Sequence, residues 1–355
     1  MEVFEMVSEP SQPRVQATGI AGGVEGPFDP GRYDGRMPYR RCGRSGLLLP
    51  AISLGAYQTL GGYRGPDVAR QCLFRAFDLG ITHFDFANNY GTPFGNAEIV
   101  CGPIIRDLPR DELVIASKAG YRMWPGPYGD WLGKKYLVAS CDQSLERLGL
   151  DYLDIFYLHR TDPETPLEES LGALDGLIRQ GKVLYGGVSS FNGLHFAEAV
   201  RICQREGFER ITIHQPPYNL FNRRIETDLL PHVEPAGVGV IPFVALAAGL
   251  LSDRYLSGEV PPDSRAALSW GEEQTRQRIT PERLGVARAL NEIARARGQT
   301  LAQLAIAWIL RLPSITSVLV GVSRVEQLEE NVRALAGPPF SPEELARIDA
   351  LAPLG

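Results

Sequence analysis

Short apolar runs alternate with longer amphipathic stretches along most of this chain, and the two periods predict strands and helices in turn. Residues 50–54, 81–86, 113–117, 153–158, 183–189, 211–215, 238–243 and 318–320 read as strands. Helical spacing covers residues 67–79, 96–106, 135–148, 167–180, 194–206, 225–233, 281–297 and 300–310. In the first of these helices Val68, Cys72, Phe74, Ala76 and Leu79 form the apolar stripe, and Gly80 ends it. Thr300 with Gln303 reads as a capping box, and Ser341-Pro342-Glu343-Glu344 opens a last helix in the same way. Strands that are apolar throughout belong to a parallel sheet covered by helices. Eight such units in sequence predict a closed (β/α)8 TIM barrel. A doubly wound sheet is the alternative, but no Gly-x-Gly-x-x-Gly follows any strand.

Two regions fall outside the alternation. Residues 1–36 are rich in Gly, Pro, Glu and Arg without periodicity and read as a flexible N-terminal extension, so the folded domain is expected over 37–355. Residues 40–50, with two glycine turns, suit a small hairpin at the entrance of the fold.

Composition changes this picture little. The 355 residues are 44% hydrophobic and 22% charged with a net charge of −6, which suits a globular domain and gives no electrostatic reason for nucleic acid or an anionic membrane as a partner. No apolar run approaches the roughly 18 residues of a membrane helix, and the amino terminus lacks a signal-peptide pattern. Cys42, Cys72, Cys101, Cys141 and Cys203 are scattered singly, as expected of reduced thiols in a cytoplasmic protein. No His, Cys or carboxylate set has metal-ligand spacing.

The chemistry gathers at strand ends. Asp85 closes one strand with Tyr90 five residues on, Lys118 follows the next strand, and His159 follows the one after. Taken singly, each is an ordinary cap, rim residue or packed turn. Together, at the carboxyl ends of neighbouring barrel strands, they form a set suited to protonating a carbonyl oxygen. A tyrosine donates the proton, an ammonium lowers its pKa, a carboxylate keeps that ammonium charged, and a histidine orients the carbonyl. The hydride must come from a cofactor. His83 alternates with Asp85 and is expected deeper in the core.

The motifs FDFANNYG at Asp85 and Tyr90, SKAG at Lys118, DIFYLHR at His159, GGVSSF at Ser189, HQPPYN at Gln215 and LVGVSRVEQLEEN near the end resemble the aldo-keto reductase superfamily. The segment KAGYRMWPGPYGDWLGKKYL resembles the branch that reduces L-glyceraldehyde 3-phosphate and methylglyoxal, a branch related to potassium-channel β subunits. The resemblance implies NADPH-dependent reduction of small aldehydes or ketones, with Tyr90 as proton donor, Lys118 and Asp85 tuning it, and His159 orienting the substrate. It places Gly55, Tyr57, Ser189, Ser190, Gln215, Phe243 and Leu246 around the nicotinamide half of NADPH/NADP+. It places Arg254, Ser264 and Arg265 along the pyrophosphate, and Gly321, Ser323, Arg324, Gln327, Glu330 and Asn331 at the adenosine end. Residues 321–324 also open a helix, whose amino end attracts anions, and Arg324 adds a charged fork for a 2′-phosphate. Phe243-Val244-Ala245-Leu246-Ala247 departs from the family's Tyr-Ser-Pro-Leu-Ala. A homo-oligomer is compatible with this likeness, and so is an alternative role as a redox-sensing regulatory subunit that binds a partner protein.

The connection 120–135 is longer than a strand-to-helix turn needs and carries Tyr121, Trp124, Tyr128 and Trp131. It is expected to form an aromatic wall facing Tyr57 around a small-carbonyl pocket. Arg160 is expected either to hold a substrate phosphate or to pair with an acid such as Asp162.

Overall fold

The computed structural model describes residues 28–264, 266–268 and 272–354. A short antiparallel pair, β1 (Tyr39–Arg41) with β2 (Leu48–Pro50), precedes β3 (Ile52–Gly55), α1 (Pro66–Asp78), β4 (His83–Asp85), α2 (Asn96–Ile105) and β5 (Val114–Ala119). The alternation continues with α3 (Lys134–Leu148), β6 (Leu153–Leu158), α4 (Leu167–Arg179), β7 (Val183–Ser189), α5 (Gly193–Glu206) and β8 (Ile211–Gln215). It ends with α6 (Ile225–Asp228), α7 (Leu230–Ala236), β9 (Gly239–Val240), α8 (Glu272–Arg276), α9 (Pro281–Ala296), α10 (Leu301–Leu310), β10 (Val318–Val320), α11 (Val325–Val332) and α12 (Pro342–Leu351).

Strands β3 to β10 form one parallel sheet in the order β10-β3-β4-β5-β6-β7-β8-β9. Backbone bonds between the two outer strands draw it closed: Thr316 N donates to Val240 O at 2.8 Å, and Leu319 N to Pro242 O at 2.9 Å. The result is the (β/α)8 barrel that the alternation predicts. Hairpin residues Cys42, Leu47 and Leu49 share an apolar cluster with the barrel-interior residues Ala116, Ile155, Tyr157, Ile213 and Ile241. The hairpin therefore plugs the amino-terminal mouth and leaves the carboxyl-terminal face for chemistry.

Three differences from the expected elements have local causes. The strand expected over 238–243 is assigned only to Gly239–Val240. The ladder runs one residue further, with Ile241 N on His214 O at 3.0 Å, is interrupted at Pro242, which has no N–H to give, and picks up again at Phe243, whose N donates to Pro216 O at 3.0 Å. The helix expected over 225–233 breaks at Leu229, because Pro231 deprives the next turn of a donor; it resumes and runs on to Ala236. Within the expected extension, residues 28–36 lie against α1: the Phe28 ring meets Phe74 and Phe77 at 5.6 and 5.0 Å, and Asp29 N donates to Asp78 Oδ1 at 2.9 Å. Residues 1–27 of that extension lie outside the described residues. Both capping boxes form, Thr300 with Gln303 and Ser341 with Glu344. All five cysteines are free and buried. Among the described residues no helix is long and apolar enough to cross a membrane.

The barrel also buries histidines. His83 Nδ1 lies 2.9 Å from Ser53 Oγ, itself 2.7 Å from Ser317 Oγ, and His214 Nε2 donates to Phe191 O at 3.1 Å. Burial pushes both imidazoles down to about 3. The folded values are depressed, so the unfolded chain takes up protons first as pH falls. Their contribution to stability is then complete above about 6.5 and is lost towards acid. Each imidazole adds a slope of about 1.4 kcal/mol per pH unit. Denaturant unfolding should show stability lower by at least ~3 kcal/mol at pH 5 than at pH 7. A change below ~1 kcal/mol would mean that these histidines accept protons in the fold.

Candidate active site

Strand register brings the four expected residues to one end of the barrel. Asp85, the last residue of β4, pairs with Gly55 and Ala116, while Lys118 on β5 pairs with Tyr157 on β6. Beyond Asp85 the chain stays on β5 for three more residues, through Phe86 N to Ala116 O at 2.8 Å and Asn88 N to Lys118 O at 3.0 Å. It then turns sharply, with Tyr90 N on Ala87 O at 3.0 Å. Gly91 makes the turn possible: its φ is +89°, and a Cβ there would stand 2.4 Å from Ala97 N. The turn folds Tyr90 back over the strand end.

Lys118 is at the centre. Its Nζ donates to Asp85 Oδ2 at 2.5 Å, to Phe86 O at 2.7 Å and to the Tyr90 hydroxyl at 3.3 Å. Asp85 accepts a second bond on Oδ1 from Gln215 Nε2 at 3.0 Å. Both charged side chains are fully buried. Tyr90 and His159 keep 9% exposure each, which leaves them as the members of the set that a substrate can reach. Their rings stand 5.9 Å apart, tilted at 70°.

The electrostatics refine the expectation from sequence. Burial raises the Asp85 pKa and lowers that of Lys118, and each partner's charge opposes the effect of burial on the other. The Tyr90 phenol is not lowered by its ammonium neighbour; burial, and after it the negative charge of Asp85, hold it well above 10. Tyr90 therefore stays loaded with a proton at neutral pH, and the Lys118 contact favours the phenolate only as that proton leaves. His159 is pushed well below 6.5 by burial and then by Lys118 and Arg160, so its ring is neutral. A neutral imidazole can donate one hydrogen bond to a carbonyl oxygen but carries no spare proton.

Aromatic rings surround this set. Tyr57 meets Tyr90 edge-on at 5.2 Å, and Tyr121 meets His159 edge-on at 4.8 Å. Trp124 packs behind the loop on Tyr136 at 5.2 Å. Tyr128 is 56% exposed with Lys135 over its ring, so no described contact brings it to the catalytic set. Arg160 is tied into this loop: Nε donates to Gly120 O and Nη2 to Asp130 Oδ1, both at 2.6 Å, and its guanidinium lies 3.7 Å from the Trp131 ring. Its acidic partner is Asp130. Asp162 instead accepts from the backbone N–H groups of Leu132, Glu164 and Thr165.

The residues expected to hold a cofactor line the same face. Ser189 Oγ and Ser190 N both donate to Gln215 O, at 2.9 and 3.1 Å, which ties the ends of β7 and β8 together. Phe243 and Leu246 are half-buried, and the loop after Phe243 holds Val244, Ala247 and Ala248 at positive φ. Gly55 packs under Leu319, and Gly321 follows β10. Ser323 bonds to Gln327 Oε1 through N and Oγ at 2.8 and 3.1 Å; Glu330 O accepts from Gln303 at 3.1 Å, and Asn331 is buried. Arg254 pairs with Asp263 at 2.5 Å, and Arg324 caps α11 while reaching Glu326 at 3.7 Å. Arg265 lies outside the described residues. Ser264 is fully buried, yet its Oγ has no partner. Two arginines, a helix amino end and an unsatisfied hydroxyl suit an anionic cofactor that carries phosphates.

Sequence reasoning passed over Gln215 as a ligand of Asp85, and over Asn88, Tyr136 and Asp130 altogether. Polar residues in a turn, at a helix start and in a loop give no signal until the fold shows what they touch.

A parallel barrel with a buried Asp–Lys–Tyr chain at its carboxyl face defines an oxidoreductase acting on carbonyl groups. The chain belongs to the aldo/keto reductase family, whose model matches residues 51–353. It is 49% identical to L-glyceraldehyde 3-phosphate reductase of Escherichia coli (strain K12) over 327 residues, which is 90% of this chain and 94% of that one. It is also 35% identical to a probable voltage-gated potassium channel subunit beta of Oryza sativa subsp. japonica over 321 residues, 89% of this chain and 96% of the relative. A protein of the same name in Arabidopsis thaliana is 36% identical over 304 residues, 84% and 91% of the two chains.

Removing one member of a buried pair leaves the other charge without compensation. Lys118→Met should cost about 3–5 kcal/mol in denaturant unfolding, and Asp85→Asn added to it should recover most of that loss. A single-variant cost below ~1 kcal/mol would show that the pair is not held charged in the fold.

Proposed function

We propose that this enzyme reduces small aldehydes and ketoaldehydes to alcohols with NADPH, with Tyr90 as the proton donor. The observation that carries this reading is Lys118 Nζ touching both the Asp85 carboxylate and the Tyr90 hydroxyl inside a fully buried pair. A bound nicotinamide cofactor supplies the hydride for the carbonyl carbon. Tyr90 gives its proton to the carbonyl oxygen, and the negative charge then left on the phenol oxygen faces the ammonium 3.3 Å away. Asp85 keeps that ammonium charged. His159 donates the hydrogen bond that aims the carbonyl oxygen at Tyr90. Ser189, Ser190 and Gln215 would hold the carboxamide end of the cofactor, Phe243 its ring face, and Arg254, Ser264 and Arg324 its phosphates.

Substrates of the glyceraldehyde 3-phosphate or methylglyoxal type fit this reading. Tyr57 and Tyr121 border Tyr90 and His159 with aromatic surface, and the relative at 49% identity carries the first of these names. Arg160 is already bound through Nε to Gly120 O and through Nη2 to Asp130. This supports Arg160 as the anchor of the loop.

The test is oxidation of NADPH and of NADH over a panel of short aldehydes and ketones, with Tyr90→Phe as the comparison. NADPH should be the better cofactor, and Tyr90→Phe should lose about 10²–10⁴-fold in kcat while binding NADPH normally. A Tyr90→Phe enzyme with wild-type turnover removes Tyr90 from the chemistry. A chain that binds NADPH and turns over no carbonyl compound favours a regulatory subunit.

A further inference from the structure

Tyr136 lies on the first turn of α3, outside the catalytic set, and its ring is 2% exposed. Its hydroxyl accepts from Asn88 Nδ2 at 2.9 Å and donates to the backbone carbonyl of Tyr121. The Asn88 backbone N–H in turn donates to Lys118 O at 3.0 Å, two residues before Tyr90. Tyr121 stands edge-on to His159, with ring centroids 4.8 Å apart and planes at 89°. One buried hydroxyl therefore joins the turn that carries Tyr90, the strand end that carries Lys118, and the loop that presses on His159. The tilted Trp124 ring, 5.2 Å from Tyr136, closes it off on the loop side.

His159 needs such a support. Its backbone is held by His159 N on Ala119 O at 2.9 Å, but its Nδ1 is buried with no hydrogen-bond partner, so no bond to that atom fixes the ring. Imidazoles that must aim a hydrogen bond are usually oriented through the other nitrogen. Here the Tyr121 ring supplies the restraint by packing, and the Tyr136 hydroxyl supplies the restraint on Tyr121.

We propose that Tyr136 is a positioning residue, whose hydroxyl holds Tyr121 against His159 and so fixes the imidazole that meets the substrate carbonyl. The proposal rests on the reading of His159 as the group that aims the carbonyl. It also makes the loop 120–133 a fixed wall, set by a bond inside the protein before substrate arrives.

Tyr136→Phe removes only the hydroxyl. Wild type, Tyr136→Phe, Tyr121→Ala and the double variant form a cycle, assayed with a short aldehyde and NADPH and followed by amide exchange of residues 120–131. Tyr136→Phe should lower kcat/KM about tenfold, with NADPH affinity unchanged and the melting temperature lowered by only a few degrees. Exchange in the loop should rise. On the Tyr121→Ala background, where the Tyr121 ring no longer presses on His159, Tyr136→Phe should change kcat/KM by less than about twofold. Should Tyr136→Phe melt early, Asn88→Ser carries the same cycle, since it withdraws the amide that orients the Tyr136 hydroxyl. An unchanged kcat/KM in Tyr136→Phe overturns the proposal, and so does a tenfold loss that persists on the Tyr121→Ala background. Loop exchange needs no turnover: if the wild type reduces nothing, the proposed function fails, while unchanged exchange in Tyr136→Phe defeats the positioning role separately.

Discussion

The structure depends on keeping one ammonium charged inside a protein core. Lys118 and Asp85 are both fully buried, and neither alone could hold its charge there. Their mutual contact, with Phe86 O and Gln215 Nε2 completing the hydrogen bonding, makes the arrangement possible. Every other catalytic feature is placed relative to it. Tyr90 folds back until its hydroxyl reaches the same Nζ, and the positive charge of Lys118 helps to keep His159 neutral. The pair thus does two opposite things at once. It stabilises a phenolate that is about to form, and it discourages a second cation beside it.

The barrel supplies the geometry that such a pair needs. Parallel register pairs Asp85 with Ala116 and so sets Lys118 two residues further along the adjacent strand, within reach of its carboxylate, and the hairpin seals the opposite mouth against water. The catalytic face is then walled by a loop with its own internal ties. Arg160 is held by Gly120 O, Asp130 and the Trp131 ring, and Trp131 sits at a φ of +67°, which a bulky residue adopts only when its neighbours insist. Tyr136 ties the same loop from below. A wall restrained from two sides orients a small substrate without having to close over it.

The alternation of apolar runs and helical stripes made the barrel legible, because burial on both faces of a parallel strand leaves no room for polar residues. The spacing of Asp85, Tyr90, Lys118 and His159 was legible for a related reason: strand ends on one face converge whatever the loops do. Loops were less so. Arg160 is expected from sequence to hold a substrate phosphate or to pair with an acid such as Asp162, and the acid beside it is Asp130, because the fold of residues 120–133 decides which carboxylate comes near. The interruption of the strand at Pro242 and the broken helix at Leu229 follow from the missing N–H groups of Pro242 and Pro231, which outweigh the apolar pattern around them. The direction of the Tyr90 shift differs from the sequence expectation because a neighbouring cation is visible in sequence, whereas burial of the phenol is not.

The central claim is that Tyr90 rests as a phenol beside a charged lysine and gives up its proton only in the reaction. Tyrosine labelled with 13C at the ζ carbon reports ionisation ring by ring, and Tyr90→Phe assigns the signal. The Tyr90 resonance should keep its phenol position as pH is raised through 10, the ordinary tyrosine value. A Tyr90 phenolate signal appearing below pH 10 would contradict the account.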